Sequence, residues 1–303
     1  MTNFNFKRQA TVHLVYNDNK YTLEVGPELS FSQTFTEDTT PVKTLHSSED
    51  YFERSVIQKA NPANFSFKIP TFNVADLKVV HDRLLDCKTF DLYISTEQDV
   101  FKLEKAVITN GTYGIERSTP LTLAVDGQAS KLSKVASVPS TGITHNPSSG
   151  RQHIATEQVS LILGGTDISS EVLSLSVELQ NELRWTENKN VHSTLSVTDR
   201  SNAIFPEGFT ITKKVLSGSI GKYITDNNAD DLLDFTTSTS LRIRAGKDPL
   251  VSYNHRGFDF NLSGCSFTNR SQAGEVFTQH YDWRLASNQN PISSLISYKT
   301  TTT

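Results

Sequence analysis

Little in this sequence points to cross-linking, metal binding or a membrane. Its 303 residues hold two cysteines. Cys87 and Cys265 fall one in each half at unrelated points of the pattern, so neither a disulfide framework nor a zinc site follows, and both read as buried thiols. The eight histidines are scattered, with no pair at the three- or four-residue spacing of a helical metal site. No apolar run approaches the roughly 20 residues a membrane helix needs, and the opening MTNFNFKRQATVHLVY lacks the apolar stretch of a secretory signal. Cationic excess is missing too. The formal charge is -4 and Lys and Arg form no cluster, which argues against a protein that coats nucleic acid. The expectation is a soluble protein made in a cytoplasm.

Motifs for chemistry are equally scarce. Asp226, Asn228 and Asp230 imitate the start of a calcium loop, but Asp231 stands where the turn needs Gly and Thr237 where it needs a carboxylate, so helix capping reads better. Gly164-Gly165-Thr166 lacks the Lys of a phosphate loop and the further glycines of a dinucleotide fold, and reads as a hairpin turn. There is no GxSxG elbow. Glu178 and Glu182 could share acid and base work, yet they sit on the polar side of a strand, where a solvated face is the simpler reading. Trp185, Trp283 and Tyr281 could stack on a sugar, although both tryptophans fall on the apolar register of their strands, which favours core packing. No enzyme activity, metal or cofactor is expected.

What the sequence does have is alternation. Leu173, Leu175, Val177, Leu179, Leu183 and Trp185 alternate with Ser174, Ser176, Glu178, Gln180, Glu182 and Arg184, predicting a strand on the order of 40 Å long with one dry and one wet face. Leu29, Phe31 and Phe35 alternate with Ser30, Ser32, Thr34 and Thr36, so LSFS at 29–32 echoes LSLS at 173–176. In each half a hairpin precedes this strand, with turns at Asn17-Asp18-Asn19 and at Gly164-Gly165-Thr166-Asp167. A helix capped by Asn73 and running to Cys87 follows in the first half, with Val74, Leu77, Val80, Leu84 and Leu85 on one stripe. A shorter one after Asp226 or Asn227 carries Leu232, Leu233 and Phe235. Strands then resume at Phe90–Ile94 and Phe101–Ile108 in one copy, and at Leu241–Ile243 and Phe258–Phe267 in the other. Each copy closes with a strand, Leu121–Val125 and Tyr281–Leu285.

This order predicts a mainly β fold with some α (α+β), built as two tandem β-sandwich or barrel domains, each with a flanking helix. The expected boundaries are an N-terminal arm over 1–10, domain 1 over 11–128, a Ser/Thr/Pro/Gly-rich linker over 129–157, domain 2 over 158–288, and a C-terminal arm over 289–303 with little structure of its own. The halves diverge most after the long strand. Residues 37–64 form a long polar segment there, and the second copy has only a shorter one, 186–192, before a strand at 217–224.

The order of hairpin, long alternating strand, variable loop, strand, helix and closing strands resembles the tail tube proteins of long-tailed bacteriophages, a fold shared with baseplate hub domains and the tube protein of type VI secretion. The second half carries it best, from VSLILGGTDISSEVLSLSVEL through LRIRAG to FTNRSQAGEVFTQHYDW; residues 11–127 match less well. The resemblance implies a structural subunit whose strands line a β-barrel channel, with two such domains per chain making a homotrimeric ring of pseudo-sixfold symmetry. It also implies stacking of rings, partners such as tape measure, hub and terminator proteins, viral DNA in transit without sequence-specific binding, and a place in the virion tail. Under it Ser30, Ser32, Thr34, Ser174, Ser176, Glu178 and Gln180 would line the channel. Pro41, Val42, Leu45, Tyr51 and Phe52, apolar residues in a long polar loop, would form the contact between rings. A baseplate hub or tube initiator forming one closed trimer would read similarly, and a carbohydrate-binding adhesin using Trp185, Trp283 and Tyr281 is the alternative outside that machinery.

Overall fold

The computed structural model of the chain describes residues 9–39, 55–70, 74–116, 119–140, 142–145, 153–155, 158–186, 204–224, 238–247, 256–272, 276–286 and 292–299. Within them the protein is mostly strand with one helix. The opening hairpin forms as β1 (Thr11–Tyr16) and β2 (Asn19–Leu23). Its turn places Asn17 and Asp18 at φ of 46° and 57°, left-handed values that these two residue types tolerate. β3 (Ser30–Ser32) is short, and β4 (Phe35–Thr39) leaves the main sheet to pair with β5 (Ser55–Ala60) as a separate ribbon. β6 (Ala63–Ile69) alternates buried with more exposed residues throughout. Helix α1 (Val74–Asp86) buries Leu77, Val80, Leu84 and Leu85 along the expected stripe; its expected cap, Asn73, lies outside the described residues. There follow β7 (Phe90–Ser95), β8 (Val100–Glu116), β9 (Thr122–Ala129), β10 (Lys131–Val135) and β11 (Ile143–His145).

The second half opens with β12 (Val159–Leu163) and β13 (Thr166–Asp167), joined through Gly164 and Gly165 at φ of 57° and 92°. The long alternating strand is β14 (Val172–Thr186), returning as β15 (Gly208–Tyr223). Then come β16 (Thr239–Lys247), β17 (Arg256–Gln272), β18 (Thr278–Leu285) and β19 (Ile296–Lys299). The helix expected near Leu232, Leu233 and Phe235 lies outside the described residues, as does the apparent calcium loop.

Strand pairing falls into two sets with one order. The first runs β2-β1-β7-β8-β9-β6-β3. The second runs β13-β12-β16-β17-β18-β15-β14. β8 and β17 are the hinges of this plan, because each is long enough to pair at one end with one group of strands and at the other end with a different group. In the first set the two groups face each other across a core, where Phe65 of β6 meets Phe90 of β7 edge-on at 6.3 Å. A bulge marks the switch in β8. Lys105 takes a φ of 50° and its N–H donates to the Asp91 carboxylate at 3.1 Å.

The registers also correct the alignment of the halves. Ser30 stands opposite Ser66 with their hydroxyls 2.7 Å apart, and Ser176 opposite Ser219 at 2.9 Å. Ser30 therefore corresponds to Ser176, two residues on from the match of LSFS with LSLS; a period-two pattern cannot detect a slip of a whole period. One core position differs between the sets. Phe65 pairs with Gly127 in the first, while in the second the equivalent pair is Gly218 with Trp283. The large ring sits on the other strand, and the space is filled in both.

Three expectations need correction. Residues 129–157 are not a bare linker: β10 pairs with β8, β11 pairs with β2, and Ile154 is fully buried. Nor is 289–303 an unstructured arm. A 3-10 turn over Ile292–Leu295 leads into β19, which pairs with β17 as β10 pairs with β8. Both strands are short and polar in sequence and gain their order from a long partner. β15 begins well before residue 217, because its first half pairs with the far end of β14 outside the core, and residues 210–214 are all exposed; the alternation of Phe209 and Ile211 with Thr210 and Thr212 breaks at Lys213 and is too short to announce it.

A Cβ at Gly218 would lie 2.7 Å from the Trp283 ring and 2.0 Å from the Ser176 carbonyl oxygen, whereas one at Gly114 would meet nothing within 4 Å. Gly218→Val is expected to destabilise the protein by about 1–3 kcal/mol, and Gly114→Ala to stay within about 0.5 kcal/mol of the parent. Urea unfolding measures both, and equal losses would sink this account of the core.

Candidate assembly edges and polar sheet face

The two sets of strands join edge to edge. β14, the outermost strand of the second set, pairs antiparallel with the far end of β8, from Ser174 opposite Glu116 to Gln180 opposite Asn110. One sheet therefore runs β3-β6-β9-β8-β14-β15-β18-β17. Side chains alternate across strands, and the register aligns polar positions into rows over this sheet. Ser30, Ser66, Asp126, Asn110 and Gln180 follow one another in one row. Lys68, Ala124, Thr112, Glu178, Ser217, Arg284 and Ser266 make a second.

Of the residues expected to line a channel, Ser30, Ser32, Ser174, Ser176, Glu178 and Gln180 thus share one face of one sheet. Ser30, Ser32 and Gln180 are exposed, and Ser174, Ser176 and Glu178 are half-buried. Thr34 lies just past the end of β3, where its hydroxyl accepts from the Asn61 amide at 2.9 Å. Pro41, Val42, Leu45, Tyr51 and Phe52 lie outside the described residues. Arg270 and Arg284 were missed by sequence reasoning. Both belong to this face, and Arg270 pairs with Asp282 at 2.9 Å, so the face is mixed in charge rather than simply acidic. Their place in the alternation of β17 and β18 was the available signal. Glu178 and Glu182 are separated, one opposite Thr112 and Ser217, the other opposite Lys213.

Behind the sheet, the seam between the sets is stitched by polar side chains, Asn181 buried and Lys214 exposed. Asn181 occupies the apolar register of β14, and its amide donates to the Leu84 carbonyl at 2.6 Å and that of Ile108 at 3.3 Å. Lys214 donates to the Leu85 carbonyl at 2.5 Å. The Leu84 and Leu85 carbonyls belong to the last turn of α1, where they lack partners within the helix and carry the negative end of its dipole. Gly111 of β8 allows the close approach, since a Cβ there would stand 2.5 Å from Leu84.

His81, on the same helix, is fully buried. Its Nδ1 meets the Tyr298 hydroxyl of β19 at 2.5 Å, and its Nε2 the Tyr113 hydroxyl of β8, with Phe258 and Phe260 edge-on at 5.8 and 5.9 Å. Burial pushes the imidazole down to about 3 and raises both tyrosines. A neutral ring has one donor and one acceptor nitrogen, so one tyrosine donates to it and the other accepts from it.

The aromatics considered for sugar stacking are otherwise engaged. Trp283 and Tyr281 are each 2% exposed, and Trp185 donates to Gln128 at 2.8 Å while tilting on Phe209. No platform of these three faces solvent. Among the described residues, no group of three or more His, Cys, Asp or Glu could hold a metal, and no helix is long and apolar enough to cross a membrane.

The model of the Bacteriophage Baseplate Tube Protein Family matches residues 2–80 and 77–302. A chain in the cryo-EM structure of the anti-feeding prophage baseplate, 6-fold symmetrised, is similar over 45% of this chain and 98% of its own, with 13% identity and a TM-score of 0.38. No curated protein matches the sequence.

The seam imposes a pH dependence. An imidazole held neutral when folded, but free to protonate near its ordinary 6.5 when unfolded, stabilises the fold fully above that pH and progressively less as pH falls toward about 3. The slope reaches roughly 1.4 kcal/mol per pH unit. Urea unfolding between pH 6.5 and 4 should show the parent losing stability faster than His81→Gln. Parallel curves would contradict the buried neutral ring.

Proposed function

The chain belongs to the bacteriophage baseplate tube protein family, and on that premise we propose that it is a tail tube subunit whose copies close into a ring around a channel. The broader role is that of a structural protein of the phage tail or baseplate, whose partners are other phage proteins. The finer reading rests on one observation, the pairing of β14 with β8.

That pairing joins unlike edges of two equivalent strand sets, which we read as two copies of one domain. A head-to-tail contact of this kind repeats until it closes or runs on as a filament. Among the described residues the matching edges are open at both ends. β3 pairs only with β6, and residues 266–272 of β17 pair only with β18. β3 of one copy would then sit on β17 of the next as β14 sits on β8. The register follows: Glu178 stands opposite Thr112, and their equivalents are Ser32 and Arg270. Closure removes the exposed edges, as in any β-barrel. Three copies would give six domains, the trimer of pseudo-sixfold symmetry that the tail tube resemblance implies.

In such a ring the aligned polar rows face the bore. Hydroxyls, amides and paired charges there, without an unbroken cationic row, suit DNA that passes without being held. Arg270 beside Asp282 illustrates the balance. The proposed role is mechanical and involves no turnover. The family description names the baseplate, which favours one second reading, a tube initiator that makes a single ring; electron microscopy separates it by single rings where a tube subunit gives stacks.

Charge substitution tests the register. Ser32→Arg would face Arg270 across the closing contact, and cross-strand like charges cost about 0.2–1 kcal/mol each. Sedimentation at low salt should show ring formation weakened several-fold, and restored in Ser32→Arg combined with Arg270→Glu. A parent protein that stays monomeric at every concentration and salt would end the ring reading.

A further inference from the structure

Each strand set has an end where its closing strand begins, and the two ends differ. In the first set Leu121, just before β9, is 1% exposed. Its N–H donates to the Ile154 carbonyl at 2.8 Å, and Ile154 is fully buried. His153 adds a bond from Nδ1 to the Pro70 carbonyl at 3.2 Å. The chain leading into the second set therefore runs across the end of the first and covers it.

The same end of the second set carries three exposed apolar residues. Phe277, just before β18, corresponds to Leu121, and Tyr223 to Pro70. Phe277 is 59% exposed, Val276 54% and Tyr223 38%. The carbonyl of Phe277 accepts from the Ile224 N–H at 3.0 Å, so the two exposed aromatics lie on adjoining strands. Three large apolar side chains at one end of a sheet mark a contact surface.

Repetition identifies what covers it. Ile154 lies four residues before Gln158, the 3-10 residue that precedes β12; Asn5 lies four residues before Gln9, which takes the same conformation just before β1. Phe4 and Phe6 flank Asn5 in the sequence and would supply the apolar surface. Within one chain, the segment leading into a strand set covers the set before it. In the ring, the set that β3 joins is that of the neighbouring copy.

We propose that residues 4–6 of one copy dock on Tyr223, Val276 and Phe277 of the next, with the Phe277 N–H donating to the Asn5 carbonyl as Leu121 donates to Ile154. The inference rests on the ring reading and adds a second strap across each closing contact, independent of the β3 edge. It gives the N-terminal arm an assembly role.

Chemical cross-linking tests it. Asn5→Cys with Val276→Cys provides two accessible thiols, since Cys87 and Cys265 are buried. A short bismaleimide applied to assembled rings should give covalent dimers and trimers on a denaturing gel. Deletion of residues 2–7 should raise the protein concentration needed for rings about tenfold or more and leave the urea unfolding of the monomer unchanged. Rings that form without a link between copies, or a link confined within one chain, overturn the docking and leave the ring reading standing. A parent protein that forms no rings ends both.

Discussion

A strand at the margin of a sheet offers its N–H and C=O groups to whatever chain arrives, and the fold of this protein is organised around where those groups go. β14 gives its outer edge to β8 within the same molecule. That single pairing merges two groups of strands into one sheet, aligns their polar positions into rows and carries α1 onto the second half. Unmade, it would leave two groups of strands with no shared face.

The seam behind the sheet shows how the joint is kept in register. Sheet pairing alone tolerates slippage by whole periods. Asn181 and Lys214 remove that freedom, because only one register places both beneath the carbonyl end of α1. His81 adds a second constraint by holding tyrosines from β8 and β19 at its two nitrogens. Unpaired, the buried Asn181 and His81 would cost more in this apolar setting than they would in water. They act against misalignment more than they add to net stability.

Much of this was legible in the sequence where one face meets core and the other meets water. The alternation of Leu175, Val177 and Leu179 with Ser176, Glu178 and Gln180 gave β14 and its polar side, and Asn17-Asp18 and Gly164-Gly165 gave the turns. The stripe from Leu77 to Leu85 gave α1. Where partners rather than patterns decide, the sequence was silent. β10 and β19 borrow their order from β8 and β17, and the first half of β15 pairs outside the core. Asn181 interrupts an apolar register and so looks like noise, while His81 is one histidine among eight until the fold brings Tyr113 and Tyr298 beside it. Arg270 and Arg284 were readable from parity alone, once β17 was known to continue to Gln272.

The opposite placement of bulk in Phe65 over Gly127 and Trp283 over Gly218 bears on how such a gene can change. A recombination breakpoint falling between the two strands of either pair would bring together two large rings or two bare backbones, one overfilled and the other hollow. Replacing one strand of either pair alone would therefore cost packing that replacing both together would keep.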